Sequence, residues 1–176
     1  MTWSPMLAEI REQPAVLQRV LDRCARASDL GHTARSGRLH FVGCGDMYFA
    51  ACQTEATARS VWGLDVRAWR SMDMRWVHGQ LGAGDVVVCA SVSGRTPRTL
   101  EAALLAKRAC ARVVGITDNP GSPLEAALEE CLLLGTAEPN SLADGVYAGY
   151  RHHIAQTQTY TAVLAAELWM AACAVG

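Results

Sequence analysis

The chain of 176 residues is 51% hydrophobic, a length and composition that suit one domain with a full-sized core and leave two domains cramped. Sixteen Lys and Arg against seventeen Asp and Glu give a formal net charge of −1, which supplies no electrostatic reason to expect a nucleic acid or an acidic membrane as partner. Lys107 is the only lysine, so Schiff-base chemistry has almost no candidate.

Ser4-Pro5 sets an N-cap and an N1 proline before MLAEIREQ, and Pro14 restarts a helix through AVLQRVLDRCARA with apolar positions at Val16, Leu17, Val20, Leu21 and Cys24. An amphipathic N-terminal helical segment over about residues 4–28, broken near Gln13, is expected, followed by GHTARSG as a polar connector. From Arg38 the rhythm changes. RLHFVG reads as a strand, DMYFAACQTEATARSVWG as a helix, LDVRAWR as a strand and DVVVCAS as a nearly all-apolar buried strand. PRTLEAALLAKRAC is then a helix, RVVGIT a strand, SPLEAALE a short helix and ECLLLG a last strand, which closes an αβα core over about residues 38–135. Residues 136–153 form a polar loop, and a closing helix spans about 155–174. Strands alternating with helices predict a three-layer αβα sandwich around a parallel, flavodoxin- or Rossmann-like sheet, in a single domain spanning residues 1–176.

In such a sheet, ligands bind beyond the carboxyl ends of the strands. After DVVVCA, Thr96 stands at an N-cap and Pro97 at N1, so the positive end of the helix and its free amides meet the hydroxyls of Ser91 and Ser93, with Gly94 letting the main chain come close. Amides with short hydroxyls suit a phosphate. The competing reading, in which Thr96 only caps its helix and the serines only turn the chain, stays open here. GCGDMY after the first strand fails the dinucleotide fingerprint, because Tyr48 stands at the third glycine position. That leaves a tight turn in which Asp46 caps the next helix or accepts hydrogen bonds from sugar hydroxyls. In TDNPGSPLE, Ser122, Pro123 and Glu125 make a capping box, which explains those residues without a ligand.

The stretch CASVSGRTPRTLEAALLAKRACARVVGITDNPGSPLEAAL resembles the signature region of the sugar isomerase (SIS) domain, and VGCG and AQTQTYTAVLAAELWMA match it in kind and order. MLAEIREQP resembles the start of the isomerase half of glutamine-dependent glucosamine-6-phosphate synthases. The resemblance implies a sugar-phosphate site with the phosphate on Ser91, Val92 (by its backbone), Ser93 and Thr96. It places Gly45, Asp46, Gln156 and Thr157 toward the sugar. Where the family usually reads Cys-Gly-Thr-Ser, this chain has Cys44-Gly45-Asp46-Met47, and the family's Ala-Ser-Thr-Lys becomes Ala155-Gln156-Thr157-Gln158. The implied activity is that of a phosphosugar or aminosugar-phosphate isomerase or deaminase-type enzyme, with a sugar-phosphate sensor as the alternative. A nicotinamide oxidoreductase is disfavoured by the broken fingerprint.

Synthase-like relatives bring a second such domain, and its catalytic glutamate and histidine have no match here. The expectation is therefore a fragment of a longer protein or a homo-oligomer, a homodimer for instance, whose neighbouring subunit or second SIS domain completes the site. Acid–base candidates are weak: Glu55 reads as an ordinary helix glutamate, adjacent His152 and His153 cannot easily face one point, and Glu138 and Asp144 lie in the polar loop. No catalytic residue, metal ligand set or cofactor is assigned. Seven scattered cysteines without a C-x-x-C pair read as buried thiols in a reducing cytosol. The first twenty residues lack a signal-peptide pattern and Thr161–Gly176 is too short to span a bilayer, so a soluble cytoplasmic protein is expected.

Overall fold

The computed structural model describes residues 4–35, 37–136 and 157–175. Five strands, β1 (Arg38–Gly43), β2 (Val66–Arg70), β3 (Asp85–Ala90), β4 (Arg112–Thr117) and β5 (Glu130–Leu133), form one parallel sheet in the order β2-β1-β3-β4-β5. All six residues of β3 are buried: Val86–Ala90 form the unbroken apolar run of a central strand covered on both faces, and Asp85 at its start is paired with Arg38 and His40.

The two faces follow the alternation of side chains along the strands. Leu39, Phe41, Val86, Val88, Val114 and Ile116 face a layer made of α1 (Ser4–Arg26), α2 (Ser28–Ala34), α3 (Asp46–Trp62) and α7 (Thr157–Cys173), the seventh helix among the described residues. Val42, Val87, Cys89 and Val113 face α4 (Met74–Val77), α5 (Pro97–Arg108) and α6 (Pro123–Ala127). The expected three-layer αβα sandwich is therefore present, with nearly every strand where the hydrophobic runs put it. The strand order switches between β1 and β3, whose following helices lie on opposite faces of the sheet, and this opens a crevice beyond their carboxyl ends.

Two local expectations differ from the structure, and one further stretch carries no expectation. The break near Gln13 is absent: α1 runs unbroken from Ser4 to Arg26 with Pro14 inside it. Proline removes one amide and crowds the preceding turn, but Pro14 is exposed, and beyond it Val16, Val20 and Cys24 are fully buried in the core that α1 shares with α7. Packing outweighs the local cost. The polar connector GHTARSG is largely helical, because Leu30 and Ala34 of α2, four residues apart, both face the core. Between β2 and β3, a 3₁₀ turn (Ser71–Asp73), α4 and a second 3₁₀ turn (His78–Gln80) occupy a stretch whose sequence carries no clear period.

Candidate functional site

The turns after β1 and β3 meet at the switch in strand order and enclose a cavity of about 130 Å³, lined by Cys44, Asp46, Met47, Ala90, Ser91, Val92, Ser93, Thr96 and Thr99. After Ala90 the chain keeps pairing with β4 for one more residue, Ser91 N donating to Ile116 O at 2.9 Å, and then turns tightly through a Gly94 N to Ser91 O bond of 2.8 Å. Thr96 is the N-cap of α5 in extended geometry with Pro97 at N1, yet its side chain makes no capping bond. Its hydroxyl accepts instead from Ser91 Oγ at 3.0 Å. The reading in which Thr96 merely caps its helix is thus not the one the structure takes.

The loop has the electrostatics of an anion cradle. Among the described residues, the amides of Val92, Ser93 and Thr96 have no protein acceptor, and the positive end of α5 lies beside them. Ser93 Oγ accepts from Arg95 N at 3.2 Å, and Thr99 Oγ1, which pairs with Ser71 Oγ at 3.0 Å, closes the back of the cavity. No Lys or Arg side chain is among the lining residues, so the donors are hydroxyls and amides.

Gly94 has φ +61, and a Cβ placed on it would come within 2.1 Å of Ser122 Oγ and 2.8 Å of Thr117 Oγ1. The close approach that requires glycine here is therefore to the β4–α6 turn and not to a ligand. That turn braces the loop from behind. Thr117 Oγ1 and Asp118 N both donate to Val92 O, Asn119 Nδ2 donates to Ser93 O, and Leu124 N donates to Gly94 O. Ser122 does cap α6 through the Glu125 amide, as expected, so capping and bracing coexist in one segment. The bracing was hidden in the sequence because it is a contact across some 25 residues.

On the β1 side, Gly45 is the N-cap of α3 at φ 56, ψ −127, with open space where a Cβ would stand. A left-handed main chain is what calls for glycine there. Asp46 follows at N1 and does not cap the helix; its carboxylate borders the cavity and makes no hydrogen bond or ion pair among the described residues. Met47 is nearly buried and presents a thioether where the family's usual sequence would bring a serine.

A family model for the SIS domain matches residues 32–166. The chain belongs to the SIS domain family. It is similar to glutamine–fructose-6-phosphate aminotransferase [isomerizing] of Gloeobacter violaceus, 30% identical over 171 residues, which cover 92% of this chain and 26% of that protein. The chain thus spans about a quarter of that relative's length. Among solved structures it is similar to Escherichia coli CFT073 c3406 in complex with A5P, with a TM-score of 0.76 and 18% identity over 99% of this chain and 92% of that one. It is also similar to the C-terminal domain of glucosamine-fructose-6-phosphate aminotransferase from Francisella tularensis, with a TM-score of 0.74 and 23% identity over 96% of this chain and 47% of that one.

In this SIS domain the expected residues do not all converge. Ser91, Val92, Ser93, Thr96 and Asp46 line one cavity, with Gly45 between two lining neighbours. Thr157 lies at the start of α7, where its hydroxyl donates to Glu9 Oε2 at 3.0 Å, and Gln158 Nε2 donates to Glu9 O and Glu12 Oε2. The first turn of α7 is thereby tied to α1. Gln156, His152, His153, Glu138 and Asp144 lie outside the described residues. Glu55 is engaged elsewhere: its carboxylate accepts from Ala68 N of the edge strand β2 at 2.9 Å and from Arg59 at 3.3 Å, and it does not line the cavity. Among the described residues no group of three or more His, Cys, Asp and Glu is arranged to hold a metal, and no helix is long and apolar enough to cross a membrane.

Proposed function

We propose that this SIS domain binds a sugar phosphate. The observation that carries the reading is the loop from Ser91 to Thr96, whose hydroxyls and unengaged amides surround the mouth of α5 at the β1/β3 switch point. Ser91, Ser93 and Thr96 hold the phosphate by their hydroxyls and Val92 by its amide. Gly45 and Asp46 face the sugar, and Thr157 at the start of α7 is a further sugar-side contact, as is Gln156, which precedes it in the sequence. The family's named relatives, an isomerising aminotransferase and a structure holding A5P, support a phosphosugar or aminosugar phosphate as the ligand class.

As an enzyme the protein is an aldose–ketose type isomerase of sugar phosphates acting in the cytoplasm, its site completed by a second copy in a homodimer or by a second SIS domain. A specific observation favours the alternative, a sugar-phosphate sensor: among the described residues Asp46 is the only carboxyl on the cavity wall, and Glu55 is committed to the β2 edge.

Calorimetry with fructose-6-phosphate, glucosamine-6-phosphate and the unphosphorylated sugars, on the wild type and a Ser93→Ala/Thr96→Val double variant, tests the reading. The expected result is phosphate-dependent binding that weakens in the variant by roughly ten- to a hundredfold, the loss of two donors to a charged ligand. Equal, weak binding with and without phosphate sinks it. Product analysis by NMR on the same samples separates enzyme from sensor, and light scattering tests the dimer.

A further inference from the structure

The phosphate loop is gripped from behind by a turn that never touches the cavity. Thr117, fully buried at the end of β4, donates its hydroxyl to Val92 O at 3.1 Å, and the next residue donates its amide to the same oxygen at 3.0 Å. The peptide unit is planar and trans, so a carbonyl and the N–H that follows it point in opposite directions. Pinning Val92 O toward β4 therefore aims the Ser93 N–H away from β4, toward the cradle, and Ser93 N is one of the amides with no protein acceptor among the described residues.

The next two peptides are pinned in the same way with a different outcome. Asn119 Nδ2 holds Ser93 O at 3.0 Å, and the Gly94 N–H beyond it closes the turn on Ser91 O. Leu124 N holds Gly94 O at 3.0 Å, and the Arg95 N–H beyond it goes to Ser93 Oγ. Of three pinned peptides, the first delivers its donor to the ligand side and the other two fix the turn that carries it. Thr117 Oγ1 also accepts from Asn119 N at 3.3 Å, so the two side chains form one unit.

We propose that Thr117 and Asn119 are positioning residues of the anion cradle, setting phosphate affinity by orienting the Val92–Ser93 and Ser93–Gly94 peptides without contacting the ligand. A carbonyl that accepts two hydrogen bonds also polarises its peptide, which strengthens the Ser93 N–H as a donor. The inference rests on the sugar-phosphate reading of the site.

The test uses the full chain as wild type, Thr117→Val, Thr117→Ser and Asn119→Ala, titrated with glucosamine-6-phosphate and glucosamine while the Ser93 amide is followed in ¹H–¹⁵N spectra. Thr117→Val keeps the volume and loses the hydroxyl; it should weaken glucosamine-6-phosphate binding roughly three- to tenfold and diminish the downfield shift of the Ser93 amide on binding. Thr117→Ser restores the hydroxyl and should stay within about twofold of wild type, whereas a role in packing alone predicts that losing the methyl group does the harm. Asn119→Ala, in a partly exposed turn, should weaken binding in the same direction and carries the test if Thr117→Val fails to fold. Unchanged glucosamine-6-phosphate affinity in the variants, with a normal Ser93 shift, overturns the positioning role while leaving the site intact. No preference for the phosphorylated sugar in the wild type overturns the reading of the site itself, and the positioning role with it.

Discussion

Gly94 carries two constraints at once, a left-handed φ of +61 and a wall of side-chain atoms where a Cβ would go. Gly94→Ala should cost on the order of 2–4 kcal/mol, combining backbone strain with the displacement of Ser122. Urea unfolding measures it. Adding Ser122→Ala should recover little, because Ser122 Cβ itself stands 2.4 Å from the new methyl position. A double variant as stable as wild type would mean that the loop shifts freely and that the brace is soft. The hydroxyls of the cradle were legible in the sequence, since Ser91, Ser93 and Thr96 sit within one turn of a Pro-marked helix start. Their supports were not. Thr117 and Asn119 looked like part of an ordinary capped turn, because the carbonyls they hold belong to a different loop, and one sequence carries no sign of such a pairing.

At the scale of elements, helix ends and buried strands could be read locally, whereas whatever depends on a neighbour could not. Pro14 reads locally as a break, yet α1 runs unbroken where it packs on α7, and Glu55 reads as an ordinary helix glutamate, yet its carboxylate accepts from the edge amide of Ala68. The pairing of α3 with α7 holds another such case. Glu167 is fully buried in the apolar surface of α7; Thr54 Oγ1 of α3 donates to its Oε2 at 3.1 Å, and Oε1 has no partner among the described residues. Burial pushes this carboxyl up to about 8, against a smaller lowering by the Thr54 hydrogen bond. Its folded pKa lies above its unfolded one, so between about pH 4.5 and 8 the native state holds a proton that the unfolded chain has released. The contribution of Glu167 is therefore complete below the unfolded pKa and is lost as pH rises through 8, by an amount on the order of a few kcal/mol. In Glu167→Gln, unfolding free energies at pH 5, 6.5 and 8 should run flatter than in wild type, with the variant gaining relative stability at pH 8. Parallel pH curves for the two proteins would show that water or a rearranged partner reaches Oε1.

Across the whole molecule the two ends of the sheet have been given different chemistry. The carboxyl end carries the cradle of neutral donors. The amino end carries a charged knot in which Asp85, nearly buried, takes both oxygens' worth of Arg38, the Gly82 amide and His40 Nε2, while Trp69 Nε1 donates to His40 Nδ1 at 3.0 Å. Burial works to raise the Asp85 carboxyl, yet Arg38, Gly82 and His40 together hold it below its ordinary value; burial lowers His40, with Asp85 opposing. This knot ties the first half of β1 and the start of β3 to Trp69, next to last in β2, so its service is to the sheet's register. Asp85→Ala removes the shared acceptor and leaves the buried His40 N–H unanswered, at a cost of about 2–4 kcal/mol. Asp85 and Ala90 are separated by the length of β3, roughly 17 Å at the rise of an extended strand, well beyond the range at which side chains normally couple. Ligand affinity measured below the melting temperature should accordingly stay within about twofold of wild type, and Asp85→Ala combined with Ser93→Ala should be additive in both stability and binding. If instead Asp85→Ala weakens glucosamine-6-phosphate as much as Ser93→Ala does, β3 transmits strain along its length, and the cradle's geometry depends on the register set at the far end of the sheet.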